Sequence, residues 1–360
     1  MFTSLHHVEK KVRKVINVNS SGVKVFIIVL YLITLKIMKV LDRIVSVVFF
    51  LHVYLPRVAC YNDWPIIGLF SQPCYDDNVE CEGNCLYIAA SYVKYLEAAG
   101  ARVVPINYYS SEEEMESILS KVNGIFFPGG GASLPKAALQ SFDYIKNAND
   151  NGDFMPMWGT CMGFQWLLEC ASGNPQILDP SDGTQMDAYN YSIPLDMTEN
   201  AATSRLFSSM PQSLFTIAAS ENVTLNNHHY GIWTDHFKET DSLNSFFNLL
   251  STNKDRTGNE FVSTIESFKY PIYGAQWHPE KNNFEWAKSP DGTPKEAINH
   301  SPQAVLLSQY TAEFFVQEAR KNNHRYEDSD EENAALIWNY PVTRTPSSSF
   351  VQKYYFKNDF

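Results

Sequence analysis

One cysteine of the chain sits in a setting that suits a nucleophile. It lies in Trp158-Gly159-Thr160-Cys161-Met162-Gly163-Phe164, a G-x-C-x-G turn. Glycines two residues to either side permit a tight strand-to-helix turn, the cysteine form of the nucleophile elbow. Such a turn lifts the thiol above a sheet at a helix N-terminus, where the helix dipole favours thiolate. It also aims the Met162 amide at a developing oxyanion. A second segment, Gln276-Trp277-His278-Pro279-Glu280, closes an apolar run. In extended chain, residues i and i+2 face the same side. Glu280 can then orient the His278 imidazole and stabilise its protonated form, the base-plus-orienter pair that activates a thiol. The third segment is Phe127-Pro128-Gly129-Gly130-Gly131. One of the Gly129, Gly130 or Gly131 amides is a candidate second oxyanion donor, and no Gly-Lys-Ser/Thr follows to make a phosphate cradle. The chemistry these residues spell out is acyl transfer through cysteine. Cys161 is the candidate nucleophile, His278 its candidate base and Glu280 the orienting carboxylate. No metal or organic cofactor is called for: Cys81 and Cys85 have no second pair at ligand spacing.

Elements able to hold these groups follow one another along the chain. Pro65–Phe70 reads as a first buried strand, and Asn84–Ala99 as a helix stopped by Gly100. Arg102–Ile106 is the next strand. Ser111-Glu112-Glu113-Glu114 is a capping-box start to a helix running to Val122. Gly124–Phe127 is a third strand and Lys136–Lys146 a helix. Met155–Trp158 is a strand leading into the elbow and a helix over Phe164–Ala171. Tyr270–Trp277 is another strand, and Ser301-Pro302 opens a helix to Asn322. Residues 174–265 give only short mixed runs. The β–α alternation predicts an α/β fold, a mostly parallel central sheet with helices on both faces. After the acidic stretch Tyr326–Asn333, Ile337-Trp338 and Tyr354-Tyr355-Phe356 are expected to be buried.

The whole chain has 360 residues, 44% hydrophobic, 14% aromatic and 19% charged, which is the composition of a globular protein. Its net charge of −12 is uneven: residues 1–60 hold nine basic and two acidic side chains, leaving 19 against 38 beyond them. A body that acidic excludes nucleic-acid binding as the main activity. It allows an anionic small substrate only where basic groups gather locally. The apolar stretch 23–54 is broken by Lys24, Lys36, Lys39, Asp42 and Arg43, so no run reaches the roughly 20 residues of a membrane span. Met38–Arg43, Ile44–Leu55 and Pro56–Cys60 instead read as the three regions of a signal peptide over 38–60. Residues 1–37 are then an upstream extension, with Met38 as initiator; an anchor starting at Met1 is the other reading. Residues 61–360 form one domain. A secreted chain would use the sequons at Asn190 and Asn222, whereas the one at Asn299 precedes Pro302. Beyond the cut remain Cys74, Cys81, Cys85, Cys161 and Cys170, an odd number that leaves at least one thiol unpaired.

Several segments together resemble the gamma-glutamyl hydrolase family. They are Pro65–Gly68, Tyr87–Pro105, Phe127–Gly130, Trp158–Phe164, Tyr273–Lys281 and Ala312–His324, with the tail from Ala335 to Tyr355. The resemblance covers nearly all of residues 64–356. It implies the class I glutamine amidotransferase-like (flavodoxin-like) fold, a homodimer, and an extracellular, lysosomal or vacuolar location. It further implies hydrolysis of the γ-glutamyl bonds of folate and antifolate poly-γ-glutamates, with Cys161 as nucleophile, His278 as general acid and base, and Glu280 as the third member. Three more positions follow from it. Tyr92 is a substrate-pocket tyrosine, His229 an active-site histidine with His228 the alternative, and Lys281 a candidate partner for a substrate carboxylate. Gln165 departs from the family, where glutamate is expected four residues after the nucleophile. The polar insertion around 286–296 is expected to stand clear of the triad. A glutaminase subunit of an amidotransferase and a catalytically silent binding protein are the two other functions this sequence allows.

Overall fold

The computed structural model describes residues 61–74, 85–181, 184–346, 348–358 and 360. The upstream extension and signal peptide expected over residues 1–60 lie outside the described residues, as do Cys81 and Asn84.

The chain opens with β1 (Ile66–Phe70), β2 (Gln72–Pro73), β3 (Cys85–Ala89) and α1 (Ala90–Ala98). Next come β4 (Arg102–Ile106), α2 (Glu112–Leu119), β5 (Gly124–Phe127) and α3 (Lys136–Asp150). β6 (Met157–Thr160) leads into α4 (Met162–Ser172). The middle of the chain adds β7 (Ala188–Ile193), β8 (Asp196–Met197), α5 (Gln212–Ser220) and β9 (Thr224–His228). It continues with α6 (Thr234–Glu239), α7 (Asp241–Asn244), β10 (Phe247–Lys254) and β11 (Glu260–Ser267). β12 (Ile272–Ala275), α8 (Lys281–Phe284), α9 (Pro302–Ala319), α10 (Ser329–Ala335), β13 (Val342–Arg344) and β14 (Gln352–Lys357) complete it.

The local signals explain many of these boundaries. Ser111 accepts the Glu114 N–H while Glu114 accepts the Ser111 N–H at 2.7 Å, so the capping box forms as read. α4 stops at Gly173, which takes the left-handed φ of 65°.

The main sheet has the order β4-β1-β5-β6-β12-β11-β10-β8. β4 through β12 are parallel; β11, β10 and β8 extend the sheet antiparallel. Alternate residues of each parallel strand feed opposite cores. Ile67, Leu69, Phe126 and Trp158 pack with Val93, Leu96 and Phe315 of α1 and α9. Phe70, Ile125 and Phe127 pack with Phe142 and Trp166 of α3 and α4. Burial on both faces is why these strands read as unbroken apolar runs. The carboxyl ends of β1, β5, β6 and β12 therefore meet along one edge, where α/β sheets place their sites.

Three expectations need correction. Cys85–Ala89 is not the first part of a helix but strand β3, because β14 pairs with it antiparallel, Tyr355 opposite Tyr87. A tail more than 260 residues away thus overrides the local helical spacing. In that tail Ile337 and Phe356 are buried as expected, Tyr354 and Tyr355 are only half-buried, and Trp338 is 62% exposed with its indole N–H donating to Glu97 at 2.6 Å. The middle segment hides two eight-residue strands, β10 and β11, whose mixed polar and apolar residues blur the period.

Candidate active site

Cys161 is the only described residue between β6 and α4, and it takes φ 51° and ψ −105°. The residues two positions to either side must be glycine. A Cβ on Gly159 would lie 2.4 Å from Gly163 O, and one on Gly163 only 2.1 Å from Phe127 O. The turn is tied down on both sides. Cys161 N–H donates to Ala275 O at 2.8 Å, and Gly163 N–H to Pro128 O at 3.0 Å. Strand end, elbow and glycine loop are thereby locked together.

His278 follows β12 and is 3% exposed; its N–H donates to Leu225 O at 2.9 Å. Its Nδ1 lies 2.8 Å from Glu280 Oε1, and Glu280 is fully buried. The pairing is as expected but the reason differs. Glu280 is helical (φ −70°, ψ −22°) and caps α8, so a turn at Pro279, rather than extended chain, brings the carboxylate back. Burial alone would push the imidazolium down. The Cys161 and Glu280 charges outweigh it and raise His278 to about 10. With Nδ1–H given to Glu280, the ring's Nε2 is left for the Cys161 thiol; it has no hydrogen-bond partner among the described residues.

Gly129 shows how closely the groups converge. A Cβ placed on it would lie 2.5 Å from Tyr92 Oη, 2.7 Å from His278 Cε1 and 3.2 Å from Cys161 Cβ. Tyr92 projects from α1 into this cluster, fully buried, and its Oη accepts the Gly129 N–H at 2.7 Å. Burial, then the charges of Glu280 and Cys161, push the phenol well above its usual range, so it keeps its proton. The Gly129 amide is consequently taken and is not an oxyanion donor, which corrects the first of the loop assignments. Gly131 N–H goes to Gln72 Oε1 at 3.3 Å. Gly130 N–H and Met162 N–H have no acceptor among the described residues, so these two remain available as donors. Met162 also braces the loop, its sulfur accepting the Ala132 N–H at 3.0 Å.

Of the paired histidines, the structure places His228, not His229, beside the triad. His228 is 4% exposed, and burial followed by the neighbouring His278 charge lowers it to about 3. The neutral ring holds its proton on Nδ1, 3.0 Å from Tyr230 O. Its Nε2, 3.2 Å from the Asn226 amide oxygen, is then an acceptor. Turning the Asn226 amide would satisfy that nitrogen and the partnerless Asn226 Nδ2 together. His229 instead stacks on Tyr189, ring centroids 4.9 Å apart. Gln165 donates to Tyr230 O at 2.7 Å.

Lys281 does not offer a free ammonium. It is 1% exposed, held by both oxygens of Glu296 at 2.7 and 2.8 Å, and lies over the Phe350 ring. Glu296 also accepts from Asn227 at 2.7 Å. The polar insertion therefore reaches Lys281, the residue next to the triad, through Glu296. Sequence reading missed Gln72, on the two-residue strand β2, and Glu296, in a loop; neither stretch carries a periodicity, and both side chains acquire partners only through the fold. The Glu296→Gln variant leaves a buried unpaired cation and is expected to cost about 3–5 kcal/mol, read as a lower thermal midpoint. The Lys281→Met/Glu296→Gln double variant is expected to regain most of it with KM within about threefold of wild type. A much larger rise in KM would return Lys281 to the substrate.

No group of His, Cys, Asp and Glu side chains among the described residues could hold a metal ion. Nor is any described helix long and apolar enough to cross a membrane. Asn222 is exposed, whereas Asn190 is half-buried with its amide oxygen accepting from Ala297 N–H.

A mostly parallel sheet that brings Cys161, His278 and Glu280 together at its carboxyl edge, with two free backbone amides in the adjoining turns, is an arrangement suited to acyl transfer through cysteine. Residues 84–290 match the family described as Glutamine amidotransferase class-I. The relatives are more particular. Gamma-glutamyl hydrolase of Mus musculus is 44% identical over 301 residues, covering 82% of this chain and 90% of its own. Gamma-glutamyl hydrolase B of Dictyostelium discoideum is 38% identical over 319 residues, 86% of this chain and 88% of its own. Gamma-glutamyl hydrolase 1 of Arabidopsis thaliana is 36% identical over 288 residues, 78% and 79% respectively. The chain belongs to the gamma-glutamyl hydrolase family, and it is an enzyme, a hydrolase of γ-glutamyl bonds.

Proposed function

We propose that this enzyme shortens folate and antifolate poly-γ-glutamates by acyl transfer through Cys161. The Cys161 thiolate attacks the γ-carbonyl carbon, and the resulting oxyanion is held by the Met162 and Gly130 amides. Protonated His278 gives its proton to the departing glutamate nitrogen as the C–N bond breaks. The neutral imidazole then takes a proton from water, which attacks the thioester and releases Cys161. Glu280 keeps the imidazole in the tautomer both steps need.

The observation that carries this reading is the convergence of Cys161 Cβ, His278 Cε1 and Tyr92 Oη on Gly129. An intact triad held this tightly speaks against a silent binder. The strongly acidic body and the apolar, positively led segment ending at Cys60 support a secretory-pathway enzyme, extracellular, lysosomal or vacuolar. Glycosylation at the exposed Asn222 and a homodimeric state belong to the same reading.

The test is incubation of the purified enzyme with a folate pentaglutamate at acidic and at neutral pH, products being separated by chain length. Shortened folates with free glutamate or γ-glutamyl peptides are expected, and their order of appearance separates endo- from exo-cleavage. A folded, reduced sample that shortens nothing at either pH refutes the assignment.

A further inference from the structure

The glycine loop beside Cys161 is gripped by a side chain outside the triad. Gln72 lies on β2, just past the carboxyl end of β1, and is 2% exposed. Its Nε2 donates to Gly129 O at 2.8 Å, and its Oε1 accepts the Gly131 N–H at 3.3 Å. Between these two bonds the amide lies flat against Gly130. A Cβ there would sit 1.8 Å from Gln72 Oε1 and 2.4 Å from its Cδ, so only glycine fits.

The consequence follows from peptide geometry. Gly129 C=O and Gly130 N–H belong to one planar trans unit and point in opposite directions. Holding Gly129 O on Gln72 therefore directs Gly130 N–H away from Gln72. Three successive glycines would otherwise let that plane rotate freely, since each adopts many backbone conformations at little cost. Tyr92 fixes the preceding plane through Gly129 N–H, and Gln72 fixes the next two. Gly130 N–H, in the middle plane, is the loop amide without an acceptor among the described residues.

We propose that Gln72 is a positioning residue that sets the Gly130 amide as an oxyanion donor; this rests on the acyl-transfer reading of the site. Gln72 makes its hydrogen bonds to the loop backbone and none to Cys161 or His278. Its loss should weaken stabilisation of the tetrahedral intermediate while leaving thiol reactivity and ground-state binding alone.

The test compares full-length wild type with Gln72→Ala and Gln72→Glu, the second keeping the size and an acceptor oxygen but not the N–H donor. Three readouts are taken: kcat and KM on a γ-glutamyl substrate, affinity for a γ-glutamyl aldehyde, and the alkylation rate of Cys161 by iodoacetamide. The aldehyde forms a thiohemiacetal whose oxygen needs the donor, whereas alkylation creates no oxyanion. Both variants are expected to lose about 10²-fold in kcat, with KM within about threefold. Aldehyde affinity should fall in parallel and the alkylation rate should hold. Unchanged kcat and aldehyde affinity would overturn the proposal. So would an equal fall in alkylation, which would mean a collapsed site. Wild type that turns over no γ-glutamyl substrate would defeat the functional reading instead, and the aldehyde comparison would still decide the role of Gln72.

Discussion

Replacing Cys161 with alanine will lower kcat by about 10⁴-fold or more, because no other described group can form the acyl-enzyme. Substrate binding will survive, since Tyr92, His278 and Gly129 keep their places. Equilibrium binding of a pentaglutamate to Cys161→Ala should match the wild-type ground-state affinity within a few-fold. Residual turnover near wild type would make Cys161 a core thiol and dissolve the mechanism. A glycine variant adds a second measurement. Cys161 holds φ 51° with ψ −105°, a conformation a side chain adopts only under strain. Such strain is on the order of 1–3 kcal/mol and collects at catalytic positions. Cys161→Gly should therefore melt above Cys161→Ala, although both lack the thiol and differ only in Cβ. Coincident melting curves would show that the elbow is unstrained.

How much of this site could be read from the chain depends on how local its causes are. The elbow was legible because its signature is contiguous, two glycines with a cysteine between them over Gly159–Gly163, even though the approach that forces Gly163 comes from distant Phe127. The His278–Glu280 pair was legible as a pair, though the turn at Pro279 and not strand geometry makes it. Strands β1, β4 and β5 stood out because both of their faces are buried. Other features depend on partners far away in sequence. β3 looks helical until the tail pairs with it. Lys281 looks free until Glu296 meets it, and the doubled His228-His229 has no resolving signal until burial favours one ring. Gln72 is the extreme case, a single glutamine whose meaning comes wholly from three glycines more than 50 positions away.

The Glu280→Gln variant will show whether the triad works as a charged unit. In the folded enzyme His278 is raised from 6.5 to about 10, burial opposing the shift and Cys161 and Glu280 driving it. A raised folded value means the imidazolium is favoured by folding. Its contribution to stability is thus fully present below about 6.5 and is lost as pH climbs through about 10. Two coupled effects follow for wild type: thermal stability declines across that window, and kcat/KM falls on its alkaline side as the proton for the leaving amine is lost. Because thiol and imidazole exchange one proton, the alkaline limb reports the pair and not either group alone. Glutamine keeps the shape of Glu280 but removes one of the two charges that hold the proton. The alkaline limb should then move to lower pH, and the decline of stability across the window should become shallower. The kcat should fall by about 10²–10⁴-fold, since the amide no longer enforces the tautomer with Nε2 toward Cys161. A control at Glu285, a buried acid raised to about 7 mainly by its own burial, separates this from a general loss of negative charge. Glu285→Gln should leave the alkaline limb nearly where it is. If Glu280→Gln and wild type share one alkaline limb, Glu280 is a packing residue and His278 draws its charge from Cys161 alone.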